Sequence, residues 1–220
     1  MDARLKLSVV VPVLNEASAM RDALQALAPL RARGHEVIVV DGGSSDGTPD
    51  IAAGLCDRVL SAPRGRATQM NAGARAATGN VLLFLHADTR LPSDADALVF
   101  GSAWGRFDVE IEGRHPLLPV VACAMNLRSR LTGIATGDQA MFVRRSLFPG
   151  FPEIALMEDV ALSKALKKID PPSCLRARVI TSGRRWEAHG VLRTIFLMWR
   201  LRLLYFLGAS PEALARKYRQ

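Results

Sequence analysis

Apolar positions along the first ninety residues follow two alternating rhythms. Short runs that are apolar at nearly every position, Leu7 to Val13, Glu36 to Val40 and Val81 to Leu85, alternate with stretches of good helix formers at 17–30, 48–55 and 67–77, and Arg58 to Ser61 adds a further strand. Strands without polar alternation predict a mainly parallel sheet with helices on both faces. Beyond residue 100 the pattern predicts strands over 106–112, 139–144 and 175–181, and helices over 117–131, 158–168 and 191–207. In the last helix Leu192, Ile195, Phe196, Trp199, Leu203 and Phe206 share one face. The expected organisation is one α/β domain over 1–220, with halves at 1–100 and 101–190 and a C-terminal helical segment at 191–220.

Three of these strands end in polar signatures. Asn15-Glu16 follows the first, Asp41-Gly-Gly-Ser-Ser-Asp-Gly the second, and His86-Ala-Asp88 the strand at 81–85. Ligands of open parallel sheets bind beyond the strand C-termini, so the three signatures should converge. Asp41 is placed to accept hydrogen bonds from a base or ribose, and the glycines after it permit close backbone approach. The plainer reading is a tight turn with a helix N-cap at Ser45 or Asp46.

Composition narrows the partners. A chain of 220 residues with 49% hydrophobic and 23% charged positions is an ordinary globular sequence that needs no disulfide or metal staple. Its net charge of +8 favours anionic partners, and arginines concentrate at 64–66 and 176–219. The three cysteines are scattered and lack metal or redox spacing, so buried free thiols in a reducing compartment are expected. The N-terminal run is interrupted by Pro12 and Asn15 and does not read as a secretory signal; Arg193, Arg200 and Arg202 exclude a membrane span at 191–207. A cytoplasmic location is expected. Docking on its own domain or on a second subunit, as in a homodimer, is the favoured use of the last helix, and peripheral contact with the inner face of a membrane is the other.

Arg64 and Arg66 precede a helix carrying Gln69 and Asn71, where guanidinium groups and helix N-terminal amides together suit a diphosphate. The alternative is a solvated basic loop. Asp88 suits a hard divalent cation: Mg2+ binds through few carboxylates plus phosphate oxygens and water, and Mn2+ better tolerates a histidine such as His86. The alternative for His86, a strand-end histidine bonded to neighbouring loops, is preferred.

Four segments, Val11-Pro-Val-Leu-Asn-Glu, Val39-Val-Asp-Gly-Gly-Ser-Ser-Asp-Gly-Thr, Asn71-Ala-Gly-Ala-Arg-Ala-Ala-Thr-Gly and Leu83-Phe-Leu-His-Ala-Asp, occur in the order that resembles glycosyltransferase family 2 and its GT-A fold. The resemblance implies an inverting transferase acting on a nucleoside-diphosphate sugar. Pro12 would shape the first loop, Glu16 and Asp41 would hold the nucleoside, and Asp88 would reach a metal-bound diphosphate. The donor-binding set is then Pro12, Asn15, Glu16, Asp41, Gly43, Ser45, Arg64, Arg66, Gln69 and Asn71. His86 stands where the family usually has the first Asp of Asp-x-Asp. Thr136-Gly-Asp-Gln and Met157-Glu-Asp look like the acceptor half, with Asp159 the catalytic base, Glu158 beside it and Asp138 at the acceptor. Adjacent helical residues project about 100° apart, so only one acid of the pair points at a hydroxyl; taken alone, both would simply complement the helix N-terminus. Gly183-Arg-Arg-Trp loosely resembles a late element of processive members, implying Arg185 and Trp186 at the acceptor and His189 at the diphosphate or metal. The acceptor, a small molecule or a lipid-linked one, is left open. Two competing readings are a sugar-1-phosphate nucleotidyltransferase, which would need a Gly-rich basic loop after the first strand, and a basic nucleic-acid- or membrane-binding module; no nucleic-acid partner is expected.

Overall fold

Along the central strands, alternate side chains leave for two different cores. The computed structural model describes residues 5–219, and its elements run β1 (Leu7–Val13), α1 (Ala17–Ala32), β2 (Glu36–Asp41), α2 (Thr48–Ala52), β3 (Arg58–Ser61), α3 (Arg66–Ala76), β4 (Val81–Phe84), β5 (Thr89–Arg90) and α4 (Ala95–Val99). They continue as β6 (Trp104–Glu112), α5 (Leu118–Thr132), β7 (Phe142–Arg144), α6 (Glu158–Leu166), β8 (Ser173–Ser182), α7 (Arg184–His189), α8 (Val191–Phe206) and α9 (Pro211–Arg219). Leu7, Val9, Val11, Val37, Val39 and Leu83 pack with α1 and α5, whereas Val10, Ile38, Val40, Leu82 and Phe84 pack with α3 and α6. This period of two, buried on both sides, is why the strands read as unbroken apolar runs. Helix α1 meets the sheet through Met20, Leu24, Leu27 and Leu30, an i, i+4, i+7 stripe. Helix α3 lies directly on the sheet because a Cβ at Gly73 would come within 2.3 Å of Val10 Cγ1.

One eight-stranded sheet, in the order β3-β2-β1-β4-β7-β6-β8-β5, runs through the whole described chain. Strands β1 to β4 are parallel to one another, β7 is antiparallel to both β4 and β6, and β6 and β8 are parallel again. Strand β7 therefore joins the two halves through main-chain hydrogen bonds.

The predicted strand at 139–144 is shorter in the structure. Gly137–Gln139 forms a 3-10 turn closed by a capping box, in which Gln139 Oε1 accepts the Thr136 N–H at 3.2 Å, and Ala140 then takes φ 45° before β7 begins. Elements β5, α4, α7 and α9 are too short or too polar to register as apolar periodicity. Cysteine burial is corrected: Cys56 is buried, but Cys123 is exposed and Cys174 only half-buried, all three with free thiols. The expected docking of the α8 apolar face on its own domain is corrected as well. The helix packs through Val191, Thr194 and Leu201, while Leu192, Phe196, Trp199, Leu203 and Phe206 remain 59–80% exposed.

Candidate active site

The loops after β1 and β2 hold each other in place. Asn15 sits at φ 55°, a left-handed conformation that Asn tolerates better than most residues, and its Oδ1 accepts the Ser45 N–H at 2.9 Å while its own N–H donates to Ser44 Oγ at 2.8 Å. Glu16 N–H donates to Thr48 Oγ1 at 2.9 Å, and Asp46 accepts the N–H groups of Ala17 and Thr48, both at 3.0 Å. The expected cap at Ser45 or Asp46 is corrected: Gly47 is the N-cap of α2, and Asp46, one residue earlier, ties the start of α2 to α1. The buried Asp41 carboxylate accepts from Gly43 N–H (2.9 Å), Ser44 N–H (3.0 Å) and the Ser44 hydroxyl, which fixes the loop from within. Gly43, at φ 93°, and Ser45 are exposed on the loop, and Pro12 lies half-buried in β1 opposite Val40.

Glu16, left free of these ties, sits at the rim. Its carboxyl is raised by burial and then by the charge of Asp88, with Arg184, whose guanidinium is 3.9 Å away, pulling the other way. Asp88 is anchored through its main chain, its carbonyl accepting the Ser182 N–H at 3.1 Å, and its carboxylate has one long contact, from Thr89 Oγ1 at 3.4 Å. The signatures after β1 and β4 therefore meet.

Of the two arginines before α3, Arg66 points toward the acids: its Nη1 lies 3.6 Å from Glu158 Oε1, and its charge is felt by Asp138 and Tyr218. Arg64 is exposed and forms no ion pair among the described residues. Gln69 and Asn71, expected at the donor, are corrected. Gln69 is buried, its Nε2 donating to the carbonyls of Val13 (2.8 Å) and Val40 (2.9 Å), and so holds the ends of β1 and β2 together. Asn71 exchanges two hydrogen bonds of 2.8 Å with the main chain of Phe151. Their polar groups are consumed within the fold.

His86 lies between the two halves. Its Nδ1 faces Asp138 Oδ1 at 3.3 Å, and its buried Nε2, without a hydrogen-bond partner among the described residues, abuts Gly137, where an added Cβ would come within 2.7 Å of it. Burial alone would raise the Asp138 carboxyl, but the His86 hydrogen bond and the charges of His86, Arg66 and Arg202 outweigh it and bring it down to about 2. The 3-10 turn bearing Asp138 is braced from below. Gln139 Nε2 donates to Asn126 Oδ1 at 3.3 Å, Asn126 clasps Val109 N–H and C=O at 2.9 Å each, and the fully buried Arg106 reaches Asp108, Ser129 Oγ and the Asn126 carbonyl.

Asp159 stands in the first turn of α6. Its Oδ2 accepts the Gly137 N–H at 3.0 Å and its Oδ1 accepts the Val160 N–H at 2.7 Å, so the 3-10 turn and its own helix fix its orientation. Glu158, adjacent and buried, turns to Arg66. The three non-glycine residues with positive φ among those described, Asn15, Ala140 and Met157 (φ 72°), directly precede Glu16, follow Gln139 and precede Glu158. Backbone strain of this kind collects at functional sites, and the sequence offers no sign of it at Ala140 or Met157.

The C-terminal segment adds residues that sequence reasoning missed. The Arg185 guanidinium lies 4.3 Å from the centroid of the Tyr218 ring, and Tyr218, raised by burial, is within the fields of Arg185, Arg66 and Asp138. Helix α9 thus reaches the Asp138 side of the site. Trp186 packs against the main core and His189 is exposed on α7. Arg128 on α5 and Arg202 on α8 both lie within the fields of Asp159 and Asp138. The one sequence cue was an arginine inside the apolar run at 191–207.

For a divalent cation the donor set is small. Among the described residues no three His, Cys, Asp or Glu side chains are grouped to hold a metal. His86 is committed to Asp138 and wedged on Gly137, which corrects its candidacy as a ligand, and nothing brings His189 to Asp88. The half-exposed Asp88 carboxylate with Glu16 beside it fits a cation that takes its remaining ligands from phosphate oxygens and water.

Burial, then the neighbouring Asp159 charge, raises the Glu158 carboxyl from its ordinary 4.5, against the pull of Arg66. A carboxyl with a raised folded-state pKa binds its proton more tightly in the fold, so its ionisation costs stability: the cost is absent below 4.5 and complete above the folded pKa. Glu158→Gln should therefore melt higher than the unmodified protein at pH 8, the gain closing as pH falls toward 4.5. Equal gains at both ends of a calorimetric pH series would contradict it.

Residues 8–111, covering β1 to β6, match the model of glycosyl transferase family 2. This stretch, just under half of the chain, resembles that family. The chain is 38% identical over 98 residues to a PGL/p-HBAD biosynthesis glycosyltransferase of Mycobacterium bovis, covering 41% of this chain and 38% of the relative. An uncharacterized glycosyltransferase of Nostoc sp. is 31% identical over 91 residues, 38% of this chain and 28% of that protein. The matches thus span well under half the length of these curated relatives. Among solved structures, S. aureus TarS 1-349 in complex with UDP-GlcNAc superposes with a TM-score of 0.64 at 22% identity, covering 81% of this chain and 58% of that one. Glucosyl-3-phosphoglycerate synthase of Mycobacterium tuberculosis with Mg2+ and UDP gives 0.60 at 20%, covering 81% and 71%. The fold is that of these GT-A glycosyltransferases.

Proposed function

We propose that the protein transfers a sugar from a nucleoside-diphosphate sugar to an acceptor hydroxyl with inversion at the anomeric carbon, Asp159 serving as general base. The observation that carries this is the Asp159 carboxylate, held by one N–H from the 3-10 turn of the acceptor half and one from its own helix, on a rim that includes Arg66, Asp138 and His86. The loops after β1 and β2, with Glu16 at the rim, would receive the nucleoside, and Arg66 at the start of α3 would face the diphosphate. Asp159 would take the acceptor proton as the hydroxyl oxygen attacks opposite the departing nucleoside diphosphate. Fixed guanidinium groups meet the charge developing on the leaving group without reorganising. A Mn2+ or Mg2+ ion, bound at Asp88 together with the diphosphate, would supply further stabilisation of that charge.

Several features support this reading over the alternatives. The family match covers β1 to β6, a neighbour of the same fold is crystallised with Mg2+ and UDP, and the loop after β1 is Pro-Val-Leu-Asn-Glu rather than the Gly-rich basic loop of a nucleotidyltransferase. The test is a thermal-shift screen of UDP-, GDP- and dTDP-sugars with and without Mn2+; a ligand well above its Kd raises Tm by mass action. No shift with any of them would remove the assignment.

The uncovered face of α8 supports a peripheral contact with an acidic lipid surface. Among the described residues no helix is long and apolar enough to cross a membrane, yet Leu192, Phe196, Trp199, Leu203 and Phe206 form an exposed stripe flanked by exposed Arg193 and Arg200, on a chain of net charge +8. Apolar insertion plus attraction to anionic headgroups is the physics of an interfacial helix. The double variant Phe196→Ser/Trp199→Ser should lose most binding to phosphatidylglycerol-containing vesicles in flotation, with unchanged Tm. If instead the stripe holds a second copy, sedimentation shows a dimer that the double variant splits and vesicles leave alone, which overturns the lipid contact.

A further inference from the structure

Six charged side chains surround the proposed base, and four of them are matched. Arg66 lies against Glu158, Asp138 faces His86, and Asp159 is bonded to two main-chain N–H groups. Arg128 and Arg202 are the remainder. Neither makes an ion pair among the described residues, and Arg128 Nε and Nη2 are shut off from solvent with no hydrogen-bond partner there. Burial, then the like charge of Arg202, depresses Arg128 to about 10; burial depresses Arg202 too, with Asp159 and Asp138 opposing in both. The Arg128 donors are costly to leave so, because a buried donor without a partner forfeits its hydration, and the half-buried Arg202 adds a like charge within its field. They come from different parts of the chain, α5 and α8, and α8 is set beside the base by Leu201, which packs against Met157 and Val160 on either side of Glu158 and Asp159.

We infer that Arg128 and Arg202 form the seat of a phosphate group carried by the acceptor, from which the acceptor's hydroxyl is presented to Asp159. A phosphate matches the pair in charge, and its several oxygens accept the forked N–H donors of two arginines at once. In the proposed reaction the donor diphosphate would be met by Arg66 and by a cation at Asp88, which leaves Arg128 and Arg202 for a second anion. The inference rests on the glycosyltransferase reading for the identity of the acceptor, while the anion seat itself can be tested apart from it.

The experiment titrates inorganic phosphate into the full chain saturated with UDP and Mn2+, by calorimetry and thermal shift. Phosphate is expected to bind alongside UDP. Arg128→Gln and Arg202→Gln should each weaken it about tenfold, the loss of one or two charge-assisted hydrogen bonds, with UDP affinity unchanged. Arg128→Lys, which keeps the charge and loses the fork, should fall between. Without phosphate, Arg128→Gln should melt no lower than the unmodified protein, since it removes an unmatched charge, so lost binding will not be mistaken for unfolding. Phosphatidylcholine vesicles with phosphatidic acid separate the two sources: competition with inorganic phosphate that depends on Arg128 assigns a lipid-borne phosphate, and its absence a free one. Phosphate that displaces UDP, or binds both Gln variants as tightly as the unmodified protein, overturns the inference. Failure of UDP itself to bind strikes at the glycosyltransferase reading, and the titration repeated without nucleotide still decides the anion seat.

Discussion

Asp159→Asn is expected to lower kcat by about 10²- to 10⁴-fold, the range a positioned general base contributes, while the Kd for UDP stays within a factor of two. The substitution keeps the size and position of the side chain, whose oxygens now accept from Gly137 and Val160; only one of those bonds survives in an amide, so a small fall in Tm accompanies the loss. What disappears is the proton acceptor. Glu158→Gln should do far less to kcat, because that side chain is buried and turned to Arg66. The contrast between two adjacent acids is the sharpest kinetic test of the site, read as donor-sugar transfer or hydrolysis under donor saturation. An Asp159→Asn enzyme retaining a tenth of its rate would assign the base elsewhere.

Asp88→Asn is expected to cost about 10²- to 10³-fold in kcat/KM, equivalent to the several kcal/mol of charge stabilisation a metal brings to a leaving group. The more telling readout is binding. In the unmodified protein Mn2+ should tighten UDP, and in Asp88→Asn it should not, since an amide is a poor ligand for a hard cation. The same variant lifts the carboxylate charge from Glu16, so Glu16 should titrate lower than before. Mn2+ tightening UDP equally in both proteins would show that Asp88 holds no cation.

The strand-end positions of Glu16, Asp41 and Asp88 were legible because β-branched runs announce strands and a polar break at a strand end announces a loop. Asp159 stands out as a candidate base only through family likeness, since an acid in a first helical turn has an ordinary use. Gln69 and Asn71 misled: a polar residue early in a helix looks the same whether it meets a ligand or, as here, main-chain carbonyls and amides of its own fold. The apolar face of α8 misled differently, because periodicity reveals that a face exists without naming what covers it. Arg128 and Arg202 left almost no trace, for their pairing depends on how α5 and α8 are set against the sheet. His86 fared better, since its preferred reading as a bonded strand-end residue agrees with its contact to Asp138.

Strand β7 has a mechanical consequence. It is three residues long, yet it is zipped on one edge to β4, which leads into the His86 and Asp88 segment, and on the other to β6 of the acceptor half. Bending the molecule open like a clam shell would tear those ladders, so the His86–Asp88 segment and β6 would stay at a nearly constant span. Any movement that admits a ligand would then fall to segments outside the ladders, among them the tip of α9, where Tyr218 rests on Arg185.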